Sequence, residues 1–370
     1  MMIIPLAVSV FFLPDPPSRS HAVARRQRQM RSDRGTITSL GLPHRLSTRA
    51  CCCASRTFAT MSSSPLVSIV IPAYNQGKFV AETIHSVLSQ DYDRKEIIVL
   101  DDGSKDETPD VISGFQDRVI SVRHDNMGEN PTVNRGLEMA RGEVLCIVNA
   151  DDPLLPGAIE AGVRTLEEDR RALAAYPDWI EIDPAGNVTR TVRLPDYDLG
   201  TMLLGFNVAV GPGVFLRREA LDRVGKRNPN LRYTGDLEYW FRVAMLGGLR
   251  HIPQVLATHR VHPQAASSAA QGNVMAAEVL RLVRVAMQNS SLPADLHRYR
   301  YRIWSKAHDV ASHYCGADDS ARTRHQRLAR WYRFGASLHG RVTGLPRPSS
   351  RPGPQVDQAE GLVHYHAMFA

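Results

Sequence analysis

Cysteine is scarce in this sequence and is poorly placed to form disulfides. Of the five cysteines, three are the consecutive Cys51–Cys53, which leaves Cys146 and Cys315 for the rest of the 370 residues. Adjacent cysteines make poor disulfide partners for each other, and two scattered ones build no framework. No paired Cys or Cys/His spacing of a zinc site follows either. The scarcity therefore predicts a reducing, cytoplasmic compartment and argues against a zinc protein.

A glycine-rich phosphate turn is also missing. The segment that follows the first apolar, β-branched run reads IPAYNQGKFV and contains no G-x-G-x-x-G. A dinucleotide-binding dehydrogenase needs that turn after its first strand. A nucleotidyltransferase typically carries a Gly-rich, basic first loop, which is absent as well. Both classes are therefore disfavoured.

Long hydrophobic runs are lacking. The opening MMIIPLAVSVFFLP is too short to span a bilayer comfortably, and no basic residue precedes it as in a signal peptide. Residues 1–60 contain nine Arg, no Lys and only two Asp, without clear apolar periodicity. We expect residues 1–64 to be a disordered leader or a non-native extension, with the working protein beginning at Met61. A cleaved, transit-like leader is the alternative.

The net charge of +7 does not indicate a nucleic-acid partner, because the leader alone carries a surplus of that size. A second basic region, residues 295–351, has twelve Lys or Arg against four Asp and mixes them with aromatic residues. Basic helices with interfacial aromatics can lie on anionic membranes. Packing against the core with solvated arginines is an equal alternative. Nucleic acid is disfavoured, because no recognised binding motif accompanies the charge.

Apolar strand patterns alternate with helical ones from Val67 onward. The runs VSIVIP, EIIVLDD, VISVRH and EVLCIVN are separated by segments with helical spacing, which predicts a mostly parallel sheet with helices on both faces. A strand pair turning at Asp183–Asn187, a short strand and helix in GPGVFLRREAL, the amphipathic GDLEYWFRVAMLGG and a final extended segment follow. The predicted organisation is an α/β domain over 65–265, a helical region over 266–341 and a flexible tail over 342–370.

Polar clusters fall where three of the predicted strands end. They are Tyr74–Asn75, Asp101–Asp102 and Asn149–Asp152. Ligands of parallel sheets sit beyond the carboxyl ends of the strands, so this coincidence predicts a site. The adjacent acids Asp151 and Asp152 would repel each other behind an apolar strand unless a cation neutralised them. Hard cations prefer such oxygen ligands. The alternative is that the two acids cap the helix that begins near Pro156.

Four stretches in order resemble the family-2 glycosyltransferases of GT-A fold. They are VSIVIPAYNQGKFVAETIHSVLSQDY, EIIVLDDGSKDET, NMGENPTVNRGLEMARGEVLCIVNADDPLLPGAIE and GDLEYWFRVAMLGG, covering about residues 66–262. The resemblance implies an inverting, metal-dependent transfer of a sugar from a nucleotide diphosphate, with UDP favoured, to an acceptor hydroxyl. It further implies a saccharide or lipid-linked acceptor and a role in cell-envelope polysaccharide or glycolipid biosynthesis.

The resemblance also implies a metal site. Asp151, Asp152 and Asn149 would hold Mn²⁺ or Mg²⁺ against the donor pyrophosphate, with Asp152 contributing more than the neutral Asn149. The family usually has Asp where this chain has Asn149, so the site loses one charge. His262 lies in an Arg-x-His segment that often supplies a metal ligand or folds over the diphosphate; an ordinary polar contact is the alternative.

Further roles are implied for the nucleotide and the acceptor. Asp102 would accept a hydrogen bond from the base, Tyr74 would pack near it, and Pro72 and Asn75 would complete the loop. A plain β-turn at Asp-Gly is the alternative for this segment.

Asp236 aligns with the catalytic base, which takes the proton of the acceptor hydroxyl. Asp is also a favoured helix N-cap, and both roles can hold together. Gly211, Pro212 and Gly213 are expected to shape the acceptor side, where Gly lets the backbone approach a ligand. A catalytically weak or inactive sugar-nucleotide-binding protein is the competing function, and the departure at Asn149 is what keeps it open.

Overall fold

The computed structural model describes residues 64–205, 210–263, 272–289, 292–315, 318–343 and 355–364. The predicted leader lies outside these residues. The strands are β1 Val67–Ala73, β2 Lys95–Asp101, β3 Ile120–Arg123, β4 Val144–Ile147, β5 Ala172–Ile182, β6 Asn187–Arg193, β7 Phe215–Arg217, β8 Gly248–Arg260 and β9 Gln355–His364. The helices are α1 Val80–Leu88, α2 Thr108–Ser113, α3 Glu129–Met139, α4 Ala158–Glu168, α5 Leu199–Gly205, α6 Arg218–Val224, α7 Gly235–Leu246, α8 Gly272–Gln288, α9 Ala294–His297, α10 Arg300–Tyr314 and α11 Asp319–Thr343.

One sheet contains all nine of these strands, and its first half is parallel. The order is β3-β2-β1-β4-β7-β5-β6-β9, with β8 paired to β5. Strands β1 to β4 pair in parallel, which confirms the prediction from their continuous apolar runs. Their carboxyl ends therefore share one edge of the sheet. The predicted strand pair forms as β5 and β6, antiparallel across Asp183–Asn187.

Helices cover both faces of the sheet, as β1 shows. Val67, Ile69 and Ile71 point to one face and pack with α1 and α4. Val70 points to the other face and packs with α3. These residues are fully buried, so the strand has no solvated face and needs no polar alternation.

Strand β8 brings a distant segment back to the site edge. It runs parallel to β5, and its last residue Arg260 pairs with Ile182. An isolated bridge joins Ala257 to Leu154, just after the β4 end. The parallel register places the end of β8 beside the turn that follows β4.

Among the described residues, helices α8 to α11 follow the first eight strands, which agrees with the predicted C-terminal helical extension. Helix α8 packs against α10, and α11 packs along α10. Of the predicted flexible tail over 342–370, Gln355–His364 form β9 antiparallel to β6, and residues 344–354 and 365–370 lie outside the described residues. Strand β6 would otherwise present unpaired backbone groups at the sheet edge, and an added strand satisfies them. In the described part of the chain, no helix combines the length and hydrophobicity that crossing a bilayer requires.

Candidate active site

The loops that follow β1 and β2 are joined by hydrogen bonds. The backbone N–H of Asn75 donates to Ser104 Oγ at 2.9 Å, and that of Gln76 donates to Thr108 Oγ1 at 2.8 Å. Asn75 adopts a left-handed backbone with φ of 53°, which Asn tolerates better than most residues. This turn leaves the Tyr74 ring exposed at the sheet edge. Tyr74 is therefore free to contact a ligand, as its predicted role requires.

Asp102 is buried and organises the loop that precedes α3. Its Oδ1 accepts from the backbone N–H of Met127 at 2.7 Å, and its Oδ2 accepts from that of Gly128 at 2.9 Å. The Asn126 side-chain amide also donates to Oδ2 at 3.1 Å. Gly128 has a φ of 93°, which only glycine adopts freely at this helix entry. The geometry makes Asp102 a shaping residue of this loop, and its contact with a base stays a prediction.

Asp152 is held on both carboxylate oxygens by protein groups. Oδ1 accepts from the Arg260 backbone N–H at 2.7 Å, and Oδ2 accepts from the Asn149 amide at 2.9 Å. The residue is 3% exposed. Burial and the neighbouring Asp151 charge raise the pKa of Asp152 to about 6, although the charge of His259 opposes this. The buried Asp152 therefore ties the β4 turn to β8.

This arrangement explains why position 149 carries an amide and not a carboxylate. A carboxylate at position 149 would place a second negative charge about 2.9 Å from Asp152 Oδ2 and would oppose the ionisation of Asp152. An amide instead donates a hydrogen bond to that buried oxygen, which favours its charged form. The departure from the family pattern is thus compatible with a buried, ionised Asp152.

Asp151, which precedes Asp152 in the turn after β4, contacts His262. His262 Nε2 lies 2.9 Å from Asp151 Oδ2, and Gln76 Nε2 lies 3.4 Å from the same oxygen. The imidazole is buried and packs against the Phe79 ring, with the centroids 5.0 Å apart. Asp151 is only partly buried. Asp151 is therefore the more accessible of the two adjacent acids, and its partner is the buried imidazole of His262.

The donor chemistry of this pair fits a divalent cation that also binds substrate. A carboxylate oxygen and an imidazole nitrogen are both ligands for first-row divalent ions. Among the described residues, no group of three or more His, Cys, Asp or Glu could enclose a metal. Mg²⁺ commonly takes one or two carboxylates and completes its shell with phosphate oxygens and water. The residues present fit such an open site, and do not fit a closed structural one.

Arg260 fastens the end of β8 to the metal-side turn. Its Nε donates to the Asp151 backbone carbonyl at 3.0 Å, and its guanidinium pairs with Glu82 on α1. The same group lies over the Phe79 ring, 4.8 Å from the centroid. Although Arg260 is 2% exposed, these contacts satisfy its charge. This residue fixes the backbone on which Asp151 sits.

A second cation approaches the same turn from β8. His259 Nδ1 lies 4.0 Å from Glu181 Oε1. Burial alone would lower the pKa of His259, but the nearby acids Glu181, Asp152 and Asp151 outweigh it and raise the pKa to about 9. His259 therefore carries a proton at neutral pH and partly offsets the two adjacent acids.

Asp236 lies exposed in the first turn of α7 and does not cap the helix. The N-cap position is Thr234, and no side-chain hydrogen bond caps this end. The Asp236 carboxylate accepts a hydrogen bond from the N–H of its neighbour Leu237 at 2.6 Å. The capping alternative therefore loses its support. An exposed carboxylate at a helix N-terminus is stabilised in its charged form.

Glu278 of α8 holds the segment immediately before Asp236. Its Oε1 accepts from the Arg232 N–H at 2.8 Å, and its Oε2 accepts from the Tyr233 N–H at 3.1 Å. Thr234 adds its N–H at 3.0 Å and its hydroxyl at 2.9 Å. We call these four hydrogen bonds from residues 232–234 to Glu278 the Glu278 clasp. Glu278 is 7% exposed, so the clasp is buried. Sequence reasoning missed it, since Glu278 lies outside every motif.

Glu129 is an acid of α3 whose ionisation responds to Asp236 and to Asp151. It begins α3 and forms an ion pair with Arg227 at 2.9 Å. The loss of solvation around Glu129 raises its pKa; the charges of Asp236 and Asp151 act in the same direction, while the Arg227 charge opposes them. Both acids therefore lie close enough to Glu129 to influence its ionisation.

The Gly211–Gly213 segment has structural reasons of its own for glycine. A Cβ on Gly211 would meet the Trp179 ring at 2.4 Å, and Gly213 has a φ of 74°. These constraints explain both glycines without a ligand. The predicted acceptor role of Gly211, Pro212 and Gly213 stays a prediction.

The fold defined by this sheet and site edge is the GT-A glycosyltransferase fold. The S. aureus TarS fragment 1-349, crystallised in complex with UDP-GlcNAc, superposes with a TM-score of 0.53 over 73% of this chain and 92% of that one, at 14% identity. The longer S. aureus TarS structure gives a TM-score of 0.51, covering 75% of this chain and 54% of that chain, at 13% identity. At such identities the likeness shows the fold alone.

The chain belongs to glycosyl transferase family 2, whose family model matches residues 68–225. An uncharacterized glycosyltransferase of Haemophilus influenzae is 30% identical over 225 residues, which cover 56% of this chain and 69% of that protein. One of Rickettsia prowazekii is 29% identical over 207 residues, covering 54% of this chain and 65% of that protein. The chain thus spans somewhat less than two thirds of the length of this Rickettsia relative.

Proposed function

We propose that the chain is an inverting, metal-dependent glycosyltransferase that takes a sugar from a nucleotide diphosphate, with UDP favoured. The observation that carries this proposal is the position of Asp151 and His262. Asp151 Oδ2 and His262 Nε2 lie 2.9 Å apart at the carboxyl edge of the parallel sheet, and Asp236 is exposed in the first turn of α7. Family membership supports the same reaction class.

The donor would lie along the edge formed by the β1, β2 and β4 loops. Tyr74 offers an exposed ring for a base, and Pro72, Asn75 and Asp102 fix the loops around it. Asp151 and His262 would hold a Mn²⁺ or Mg²⁺ ion near the diphosphate. When bound, that ion neutralises the charge of the leaving diphosphate as the glycosidic bond breaks. Asp152 and Asn149 position this pair through the turn, and the direct ligand role passes to Asp151.

Asp236 would act on the acceptor. An acceptor hydroxyl oxygen forms the new bond to the anomeric carbon, from the face opposite the departing diphosphate, and inversion follows. Its proton passes to the Asp236 carboxylate, which has the exposure and charge for this. Glu278 keeps the segment before Asp236 in place. We propose a saccharide or lipid-linked acceptor, in cell-envelope polysaccharide or glycolipid synthesis in the cytoplasm.

A binder without catalytic activity is the second candidate, and Asn149 is the observation that favours it. One assay separates the two: release of nucleoside diphosphate from a panel of nucleotide sugars with Mn²⁺ and candidate acceptors. The proposed enzyme releases nucleoside diphosphate only when metal, donor and acceptor are all present. Binding of donor with no release above an Asp236→Asn control would leave the binder as the better description.

A further inference from the structure

Helix α11 has an apolar stripe on its outer side. Trp331, Phe334, Leu338 and Val342 each have more than half of their surface exposed. Their spacing of three, four and four residues puts them on one face of a helix. The opposite side packs against α10 and buries Ala321, His325 and Ala329. The stripe is therefore not part of the core in the described chain. Contiguous exposed apolar groups of this kind mark an interaction surface.

Arginines lie around the outer stripe. Arg327, Arg330 and Arg341 are exposed, and no ion pair is recorded for any of them within the described residues. Two other arginines of the helix are paired, Arg322 with Asp319 and Arg333 with Asp309. The stripe therefore combines apolar side chains with cations that lack acidic partners.

We propose that the outer stripe of α11 lies in the headgroup region of an anionic lipid bilayer. An apolar face with Trp and Phe, flanked by arginines, is the composition of an interfacial helix. Trp favours the membrane–water interface, where its ring is partly apolar and partly hydrated. A second copy of this chain fits less well, because a symmetric contact would bring the arginines of both copies together. The sequence left such contact open, and the structure assigns it to this face.

Vesicle flotation of the full chain tests the proposal. The protein is expected to float with vesicles of phosphatidylglycerol and phosphatidylcholine, and to stay behind with phosphatidylcholine alone. Phe334→Ser should weaken flotation about tenfold, since burying such a ring contributes at least one factor of ten in affinity. Arg330→Gln should weaken it about fivefold, on the usual contribution of one basic residue near an anionic surface. High salt should act like the arginine change.

Val274→Ser on α8 is the matched control, because Val274 is exposed apolar surface away from the outer stripe. It should float like the wild type. Absence of wild-type flotation with anionic vesicles, or equal flotation of Phe334→Ser, overturns the proposal. A concentration-dependent dimer in light scattering that Phe334→Ser abolishes also overturns it, in favour of a second copy. Diphosphate release without vesicles should be unchanged by these substitutions, so this test is independent of the proposed reaction.

Discussion

The Glu278 clasp makes a prediction about both stability and turnover. Replacing Glu278 with Gln keeps the size of the side chain but leaves one oxygen for four donors. In its best orientation the amide oxygen keeps the Tyr233 and Thr234 bonds at Oε2, while the amide nitrogen faces the Arg232 N–H. One charge-assisted bond is then lost and the remaining ones weaken. Since hydrogen bonds to charged groups contribute about 1.5–3 kcal/mol, we expect unfolding to become easier by about 2–4 kcal/mol.

The catalytic consequence follows from the position of the clasp, two residues before Asp236. A small displacement of a reacting group can cost about 10²-fold in rate. We therefore expect kcat to fall by roughly this factor, while the KM for the donor changes little because the donor loops lie elsewhere. Urea unfolding and steady-state transfer on the same preparations measure the two effects.

Glu160→Gln on α4, which replaces an exposed Glu, is the control. A Glu278→Gln protein with wild-type stability would refute the clasp. Lowered stability with unchanged kcat would refute its role in positioning Asp236.

Three further predictions concern other parts of the chain. Asp236→Asn should lower turnover by a factor of about 10²–10⁴ and leave donor affinity nearly unchanged. The free energy of unfolding should change by less than about 1 kcal/mol, because Thr234 and not Asp236 occupies the N-cap. A mutant that transfers sugar at the wild-type rate would exclude the base role. Asp152→Ala should destabilise the fold by about 1–3 kcal/mol in urea titration, because it leaves the Arg260 N–H buried without a partner. Unchanged stability would contradict the scaffold role. A chain starting at Met61 should remain soluble and bind nucleotide like the full chain in calorimetry, and insolubility would make the leader part of the fold.

The parallel half of the fold was predictable because its signal is local. Continuous apolar runs such as β1 and β4 are buried on both faces, and their polar ends fall on one edge by topology alone. This pattern alone predicts that the residues at positions 74, 102 and 151 lie at that edge of the sheet. Family motifs then supply the expected chemistry.

What the sequence could not reveal depends on contacts between distant positions. The bond from Arg260 to Asp152 joins residues 108 positions apart, and that from Thr234 to Glu278 joins residues 44 apart. Glu278 belongs to no motif, and the motifs that contain Asp152 and Arg260 do not say that these two residues are joined. For this reason three-dimensional geometry was needed to distinguish Asp151, which is partly exposed beside His262, from Asp152, whose two carboxylate oxygens each accept a hydrogen bond from the protein. Strand β9 was missed because it joins the sheet through backbone hydrogen bonds to β6. Its sequence is rich in polar residues and lacks the apolar pattern that predicts a strand.

The proposed metal-assisted donor site is tested most directly by calorimetric titration of UDP. The wild type should bind UDP with Mn²⁺ and lose at least tenfold in affinity when the metal is chelated, which corresponds to about 1.4 kcal/mol. Asp151→Asn should remove this metal dependence, and Asp110→Asn, at an exposed position on α2, should keep it. UDP binding of equal strength with and without Mn²⁺ in the wild type would contradict the account.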